Sequence, residues 1–422
     1  MGVTRRAFLK SGGLALVTLG VGGSPLFLAR AAQQTTARVQ GGKRRVLVAI
    51  FQRGAMDGLM AVSPFSDPAL MSMRPRLGMS VGPNAPGGGL IDLDGRFGLH
   101  PGFSGFAPLF RSGQLAIVHG VGSPDPTRSH FDAQDYMETG TPGVKGTESG
   151  WLNRASGLLT YERTAFCSCA MTPFLPRSLY GKEPALAIAN LGDFAINVRS
   201  TNTIVQSAGS TLETLYEETS QRLLHEVGQE GFDAMKLVSR LPLKDYVPSN
   251  GAVYPMGPLG NSLKQIAQLT KADVGLEIAF AESSGWDTHV GQGAANGIFA
   301  QRAKDLAEAI TAFWSDLGPL ADDVTIMTMT EFGRTVYENG SGGTDHGRAS
   351  CLFILGNDVK GGKVYGEVPP LVKEELEDGR DIPVTTDFRS VFSAVAGTHL
   401  GIDKDAMIFP GWTGARARVM QV

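Results

Sequence analysis

Met327-Thr328-Met329-Thr330-Glu331-Phe332-Gly333-Arg334-Thr335-Val336-Tyr337-Glu338-Asn339-Gly340-Ser341-Gly342-Gly343-Thr344-Asp345-His346-Gly347 opens on the last residues of an apolar run that starts at Val324. The run predicts a strand over 324–330, with Glu331 just past its end. A polar, glycine-rich loop follows and closes on Asp345-His346-Gly347. A carboxylate at a strand end and an Asp-His pair one loop later suit a divalent cation or a proton-transfer site. Gly340, Gly342, Gly343 and Gly347 let the backbone fold back so that both ends of the loop meet.

Outward from that stretch, strands and helices alternate. Apolar runs at 45–51, 115–118, 185–189, 275–281 and 351–355 read as strands. Continuous apolar runs fit strands buried on both faces, as in a parallel sheet. Residues 103–110, 131–137, 211–229, 259–271 and 387–400 read as helices. Phe299, Ala303, Leu306, Ile310, Phe313 and Leu317 repeat at spacings of four and three, which marks a long amphipathic helix. Residues 63–97 form an irregular Pro/Gly-rich excursion, and 141–183 a loop-rich insertion. The expected fold class is α/β, a doubly wound, mostly parallel sheet with helices on both faces and loop-rich insertions. In such sheets functional groups gather beyond the carboxyl ends of the strands. Asp57, Ser129, Asp287, His289 and Glu331 each follow an expected strand.

The N-terminus carries a different message. Thr4-Arg5-Arg6-Ala7-Phe8-Leu9-Lys10 is a twin-arginine export signature, followed by a mildly apolar segment and the small-x-small site Ala29-Arg30-Ala31. The expectation is a signal peptide over 1–31, a linker over 32–42 and one domain over 43–422. It makes the twin-arginine translocase a partner during export and the location periplasmic or extracellular. After cleavage no stretch is long and apolar enough for a stable membrane span. The leader holds four cations (Arg5, Arg6, Lys10, Arg30) and no acid, so its loss takes the formal charge from −3 to −7. That balance argues against nucleic acid as a partner. Three cysteines, Cys167, Cys169 and Cys351, leave at least one thiol unpaired.

Asp57, Asp287, His289, Glu331 and His346 are the candidate metal ligands, with Asp345 beside them. Oxygen and imidazole donors of this kind suit one or two divalent ions, Zn²⁺, Mn²⁺, Mg²⁺ or Ca²⁺. Asp287 and His289 lie two apart, so an extended segment puts both side chains on one face. Thr127, Ser129 and His130 lie where a loop enters a helix. There Ser129 or Thr127 is a candidate nucleophile, and plain N-capping by Ser129 is the alternative. Arg128, Arg334 and Arg348 are candidate forks for phosphate or sulfate oxygens, with surface ion pairs as the alternative.

Arg53-Gly54-Ala55-Met56-Asp57-Gly58, Thr127 to Gln134, Gly285-Trp286-Asp287-Thr288-His289, Glu331-Phe332-Gly333-Arg334-Thr335, Gly343 to Gly347 and Asp387-Phe388-Arg389, with the twin-arginine start, resemble bacterial proteins of the domain-of-unknown-function 1501 family. That family is grouped with the alkaline phosphatase and sulfatase superfamily. The resemblance implies an alkaline phosphatase-like core and metal-dependent hydrolysis of phosphate or sulfate esters. It implies metal-ligand roles for Asp57, Asp287, His289, Glu331 and His346, and a nucleophile within 127–130. Glu331-Phe332 stands where the superfamily has an Asp-His doublet, and no formylglycine motif surrounds Cys167 or Cys169. The second reading is a non-catalytic periplasmic binding or assembly protein on a degenerate phosphatase-like fold.

Overall fold

The computed structural model describes residues 44–85, 88–161, 163–191 and 245–421. The expected leader and linker, and the helix expected over 211–229, lie outside the described residues.

The apolar run near 45 becomes β1 (Val46–Arg53), the middle of a nine-stranded sheet. Alternate β1 residues enter opposite cores. Val46, Val48 and Ile50 pack on one face; Leu47, Ala49 and Phe51 pack on the other. A strand buried on both sides cannot alternate apolar with polar residues, which is why its sequence is a continuous apolar run.

A small antiparallel sheet follows, from β2 (Val62–Ser63), β3 (Ile91–Asp92) and β4 (Gly98–Leu99). The other main-sheet strands are β5 (Leu115–Gly122), β6 (Ser168–Ala170), β7 (Leu186–Ala187), β8 (Ile278–Ser284) and β9 (Val324–Met329). A separate hairpin pairs β10 (Arg334–Glu338) with β11 (Thr344–His346). β12 (Ser350–Leu355), β13 (Val364–Tyr365) and β14 (Thr386–Asp387) return to the main sheet. Its order is β13-β5-β12-β9-β1-β8-β6-β7, with β14 also on β5.

β1 runs parallel to β8 and β9, and β6 parallel to β7 and β8. β12 is antiparallel to both β5 and β9. The sheet is therefore mixed and mostly parallel. The single reversed strand has a consequence for function. β12 begins at the edge where its neighbours end, so His346, four residues before it, is delivered to the same edge as the residues that follow β1, β5, β8 and β9.

Among the described residues four long helices flank the sheet. α1 (His130–Thr139) and α4 (Phe388–Leu400) cover one face; α2 (Pro258–Lys271) and α3 (Ile298–Leu317) cover the other. Phe299, Ala303, Leu306, Ile310, Phe313 and Leu317 of α3 are all buried, as their spacing predicted. Among the described residues no helix is long and apolar enough to cross a membrane.

Two local expectations differ from the fold. The stretch after Glu331 is a hairpin, with Arg334 opposite His346, where the glycine content predicted only loop. The segment 141–183 also contributes β6 to the main sheet beside β8. All three cysteines are buried free thiols.

Candidate functional site

Three imidazoles converge beyond the carboxyl edge of the sheet. His130 opens α1, just after the β5 loop; His289 follows β8; His346 ends β11. Nε2 of His346 lies 3.0 Å from Nε2 of His130 and 2.9 Å from Nε2 of His289. The Asp287 carboxylate joins them. Its Oδ1 is 3.2 Å from His289 Nε2 and 3.7 Å from His346 Nε2, and its Oδ2 is 3.6 Å from His130 Nε2. His130, Asp287 and His346 form a group whose donor atoms all lie within 4.8 Å of one another, a spacing that could hold a metal ion. His289 stands beside that group.

The other ring nitrogens settle the tautomers. His346 Nδ1 is 2.8 Å from the Arg128 carbonyl, which can only accept. His130 Nδ1 is 2.8 Å from Glu331 Oε1, and His289 Nδ1 is 3.0 Å from Asp345 Oδ1. Burial alone would raise the Glu331 pKa, but hydrogen bonds from His130, Gln134 and the Gly54 amide outweigh it and hold the carboxyl below its usual range. Hydrogen bonds from Asn339 and His289 likewise hold Asp345 low despite partial burial. Both are carboxylates and both accept. Each ring therefore carries a proton on Nδ1, and in its neutral form turns the Nε2 lone pair inward. Lone pairs about 3 Å apart repel unless a cation or proton lies between them. An imidazole that donates its outer N–H to a carboxylate or carbonyl is the usual setting of a metal-bound histidine.

The titration tendencies are uneven across the cluster. The Glu331 hydrogen bond and charge raise His130, against the effect of burial. Burial first, and then the neighbouring His130 and Arg334 charges, lower His346. Burial pushes the Asp287 carboxyl up, but the Arg334 hydrogen bond and charge prevail and bring it down.

Glu331 stands one layer behind the imidazoles. Its Oε1 accepts from His130, from the Gly54 amide at 2.9 Å and from Gln134 at 2.8 Å, while Thr330 Oγ1 is 3.1 Å from Oε2. It orients His130 and ties the β1 and β9 loops to α1. Gly54 is required there. Its φ is +115°, and a Cβ would lie 2.4 Å from the Asp287 amide nitrogen. Gly343 makes the matching approach on the other side, where a Cβ would lie 2.2 Å from the Thr288 carbonyl. This contact brings the hairpin against the His289 loop.

Asp57 does not reach the cluster. Only 1% exposed, it forms a two-pronged ion pair with Arg74 at 2.9 and 3.1 Å. It also accepts from Gln292 Nε2 at 2.7 Å and caps the Met60 amide at 3.1 Å. Gln292 Oε1 in turn accepts from Thr288 and Thr344, the neighbours of His289 and Asp345. Asp57 thus supports the loops that carry the imidazoles, and both its oxygens are occupied.

The three arginines are also occupied. Arg334 is fully buried and donates to the carbonyls of Ala55, Gly54, Trp286 and Thr344 and to Asp287 Oδ1. Arg128 pairs with Asp378 and Asp381, and Arg348 with Glu377 and the Asp125 carbonyl. Each has protein partners, the alternative that the sequence reading set beside substrate oxygens. Ser129 is the N-cap of α1, but its hydroxyl makes no capping hydrogen bond; its amide donates to Thr127 Oγ1 at 3.2 Å.

His130 is the residue that the ligand set drawn from sequence did not contain. Its signal was present, since it is a third histidine placed after a strand end. Phe332 packs against the rings of His130 and His346 at centroid distances of 4.9 and 5.0 Å.

Solved structures similar to the chain at low identity include the following three. A protein in the alkaline phosphatase superfamily from Vibrio parahaemolyticus is 9% identical, with 78% of this chain and 64% of that chain covered and a TM-score of 0.35. The PsFucS1 sulfatase from Pseudoalteromonas sp. is 11% identical, with 88% and 70% covered and a TM-score of 0.36. Alkaline phosphatase from the Antarctic bacterium TAB5 is 9% identical, with 75% and 93% covered and a TM-score of 0.28. The chain thus spans less than two thirds of the Vibrio protein. The fold class stands on strand order and pairing, not on scores of this size. No curated protein matches the chain. A family model described as "Protein of unknown function (DUF1501)" matches residues 116–409, well over half the chain, a span that includes His130, Asp287, His289 and His346 but not Asp57. The chain belongs to the DUF1501 family.

Proposed function

We propose that the protein is a metal-dependent hydrolase of phosphate or sulfate esters, with the cation held by His130, Asp287 and His346. One observation carries the reading: imidazole nitrogens about 3 Å apart, each with its proton on the far side of the ring. The donor set fits a divalent ion. A cation bound there would supply Lewis acidity, stabilising charge on an ester oxygen and lowering the pKa of an attacking hydroxyl.

The chain's own residues do the rest. Glu331 and the Arg128 carbonyl fix the rings of His130 and His346. Arg334 anchors Asp287. Ser129 adjoins His130 at the open N-terminus of α1, where free amides favour an anionic group, and its exposed hydroxyl is not used as a cap. It is the preferred nucleophile over Thr127, whose oxygen accepts the Ser129 amide. The motif at Thr4–Lys10 supports export by the twin-arginine route to the periplasm, with residues 43–422 acting as one domain.

The test is a screen of the full mature chain on aryl phosphate mono- and diesters and sulfate esters, with Zn²⁺, Mn²⁺, Mg²⁺ or Ca²⁺ added in turn. Metal-dependent turnover lost in His346→Ala supports the reading, and loss in Ser129→Ala as well identifies the nucleophile. Absence of turnover on every ester overturns it. A second reading, a metal- or anion-binding protein without catalysis, is favoured by one specific observation. Arg128, Arg334 and Arg348 are all engaged by protein partners, which leaves none of them to clamp an ester anion.

A further inference from the structure

Two features of the cluster go beyond the presence of a cation. The first is His289. Its Nε2 is 2.9 Å from His346 Nε2 and 3.2 Å from Asp287 Oδ1, and Asp345 holds its outer nitrogen. A metal–ligand bond of about 2.0–2.1 Å places neighbouring ligand atoms about 2.8–3.4 Å apart, for angles between square and tetrahedral. His346 Nε2 has such a neighbour on each side. A ring nitrogen has one lone pair and serves one ion, so an ion on His346 Nε2 would have His130 and His289 on either side of it, with His289 outside the group of His130, Asp287 and His346 whose donor atoms lie within 4.8 Å of one another.

The second feature is the absence, among the described residues, of a donor set for a second ion. Glu331 accepts from His130, Gln134 and Gly54 on one oxygen and lies against Thr330 on the other. Arg74, Gln292 and Met60 fill both oxygens of Asp57. Asp345 Oδ1 accepts from both His289 and Asn339. The carboxylates that would serve a second ion instead orient imidazoles or support loops.

Resting on the metal-dependent reading, we infer that the centre is built for one transition-metal ion, ligated by Nε2 of His130, His289 and His346 and by Asp287, rather than for a pair of ions or for Mg²⁺ or Ca²⁺. An imidazole-rich set suits Zn²⁺, Fe²⁺, Ni²⁺ or Cu²⁺, whereas Mg²⁺ and Ca²⁺ need oxygen-rich cages.

The experiment needs no substrate. The mature chain, purified without a polyhistidine tag and stripped by chelation, is titrated with Co²⁺ and with Zn²⁺. Metal per chain is measured after gel filtration, together with the visible absorption of bound Co²⁺. The inference expects one ion per chain, a Co²⁺ spectrum that a large excess of Mg²⁺ or Ca²⁺ does not displace, and affinity on the order of 100-fold weaker in His289→Ala. His289→Gln and thermal melting of each variant separate ligand loss from unfolding. Two ions per chain, with the second lost in Glu331→Gln, overturns the inference and leaves the metal-dependent reading standing. Displacement by Mg²⁺ or Ca²⁺, or an unchanged affinity in folded His289→Ala, also overturns it. No bound metal overturns both. One bound ion with no ester turnover upholds the inference and overturns the hydrolase reading.

Discussion

Two groups of histidines in this fold use the same chemistry in opposite ways. His100 and His119 are buried, and both nitrogens of each ring have ordinary backbone partners. Nε2 faces the carbonyls of Ala294 and Val62, and Nδ1 accepts from the amides of Gly102 and Gly120. His130, His289 and His346 have hydrogen-bond acceptors on Nδ1, and on Nε2 they converge on one another and on the Asp287 carboxylate. The first group is complete as it stands. The second is complete only with something positive between the rings. Histidine content alone therefore does not mark a site; the direction of the unused lone pairs does.

The largest expected effect tests the closed region. Asp57→Asn leaves Arg74 buried without its counter-charge and should cost about 3–5 kcal/mol of stability. Metal stoichiometry should not change, because Asp57 is outside the cluster. Denaturant melts with metal analysis check both, and a lost ion in a folded variant would merge the two regions.

Acid is the next lever on the same region. Burial lowers His100 and His119 from 6.5 to about 4. The neutral rings favour the folded state above pH 6.5. Below it the unfolded chain takes up protons that the native rings refuse, so stability falls between pH 6.5 and about 4. A shift of that size corresponds to at most roughly 3 kcal/mol per ring. Urea midpoints across this range in His119→Gln and the parent chain measure it.

A smaller effect is expected in the open region. Glu331→Gln keeps the shape but weakens the acceptor behind His130, and metal affinity should drop about 10–100-fold. Competition with a chromophoric chelator reads this. An unchanged affinity would remove His130 from the ligand set. Smallest is Ser129→Ala, which should alter stability by less than about 0.5 kcal/mol. That is below the usual loss of a cap, because the hydroxyl makes no capping bond.

The fold was legible in sequence wherever burial was two-sided or strictly helical. The runs that became β1, β9 and β12 and the spacing along α3 match the structure to within a few residues. The direction of β12 was not legible, since an antiparallel strand buried on both faces has the same apolar pattern as a parallel one. The β10–β11 hairpin was hidden because its pairing rests on backbone contacts permitted by glycine, not on apolar alternation. The place of Asp57 outside the cluster was not legible for a different reason. Its partner Arg74 lies in a Pro/Gly-rich stretch with no periodicity, and nothing local marks an ion pair across such a segment. The cluster itself was half legible. Asp287, His289 and His346 follow from placement near strand ends, whereas His130 was read with the helix entry it begins.

The most direct test is nitrogen-15 spectroscopy of the histidine side chains in the full chain, before and after Zn²⁺ is added. His130, His289 and His346 should keep the Nδ1–H tautomer while their Nε2 resonances shift on metal addition. His100 and His119 should remain Nε2–H tautomers and be unmoved. Zn²⁺ that leaves all three cluster Nε2 signals in place, or an Nε2–H tautomer at His346 in the metal-free chain, would contradict this assignment.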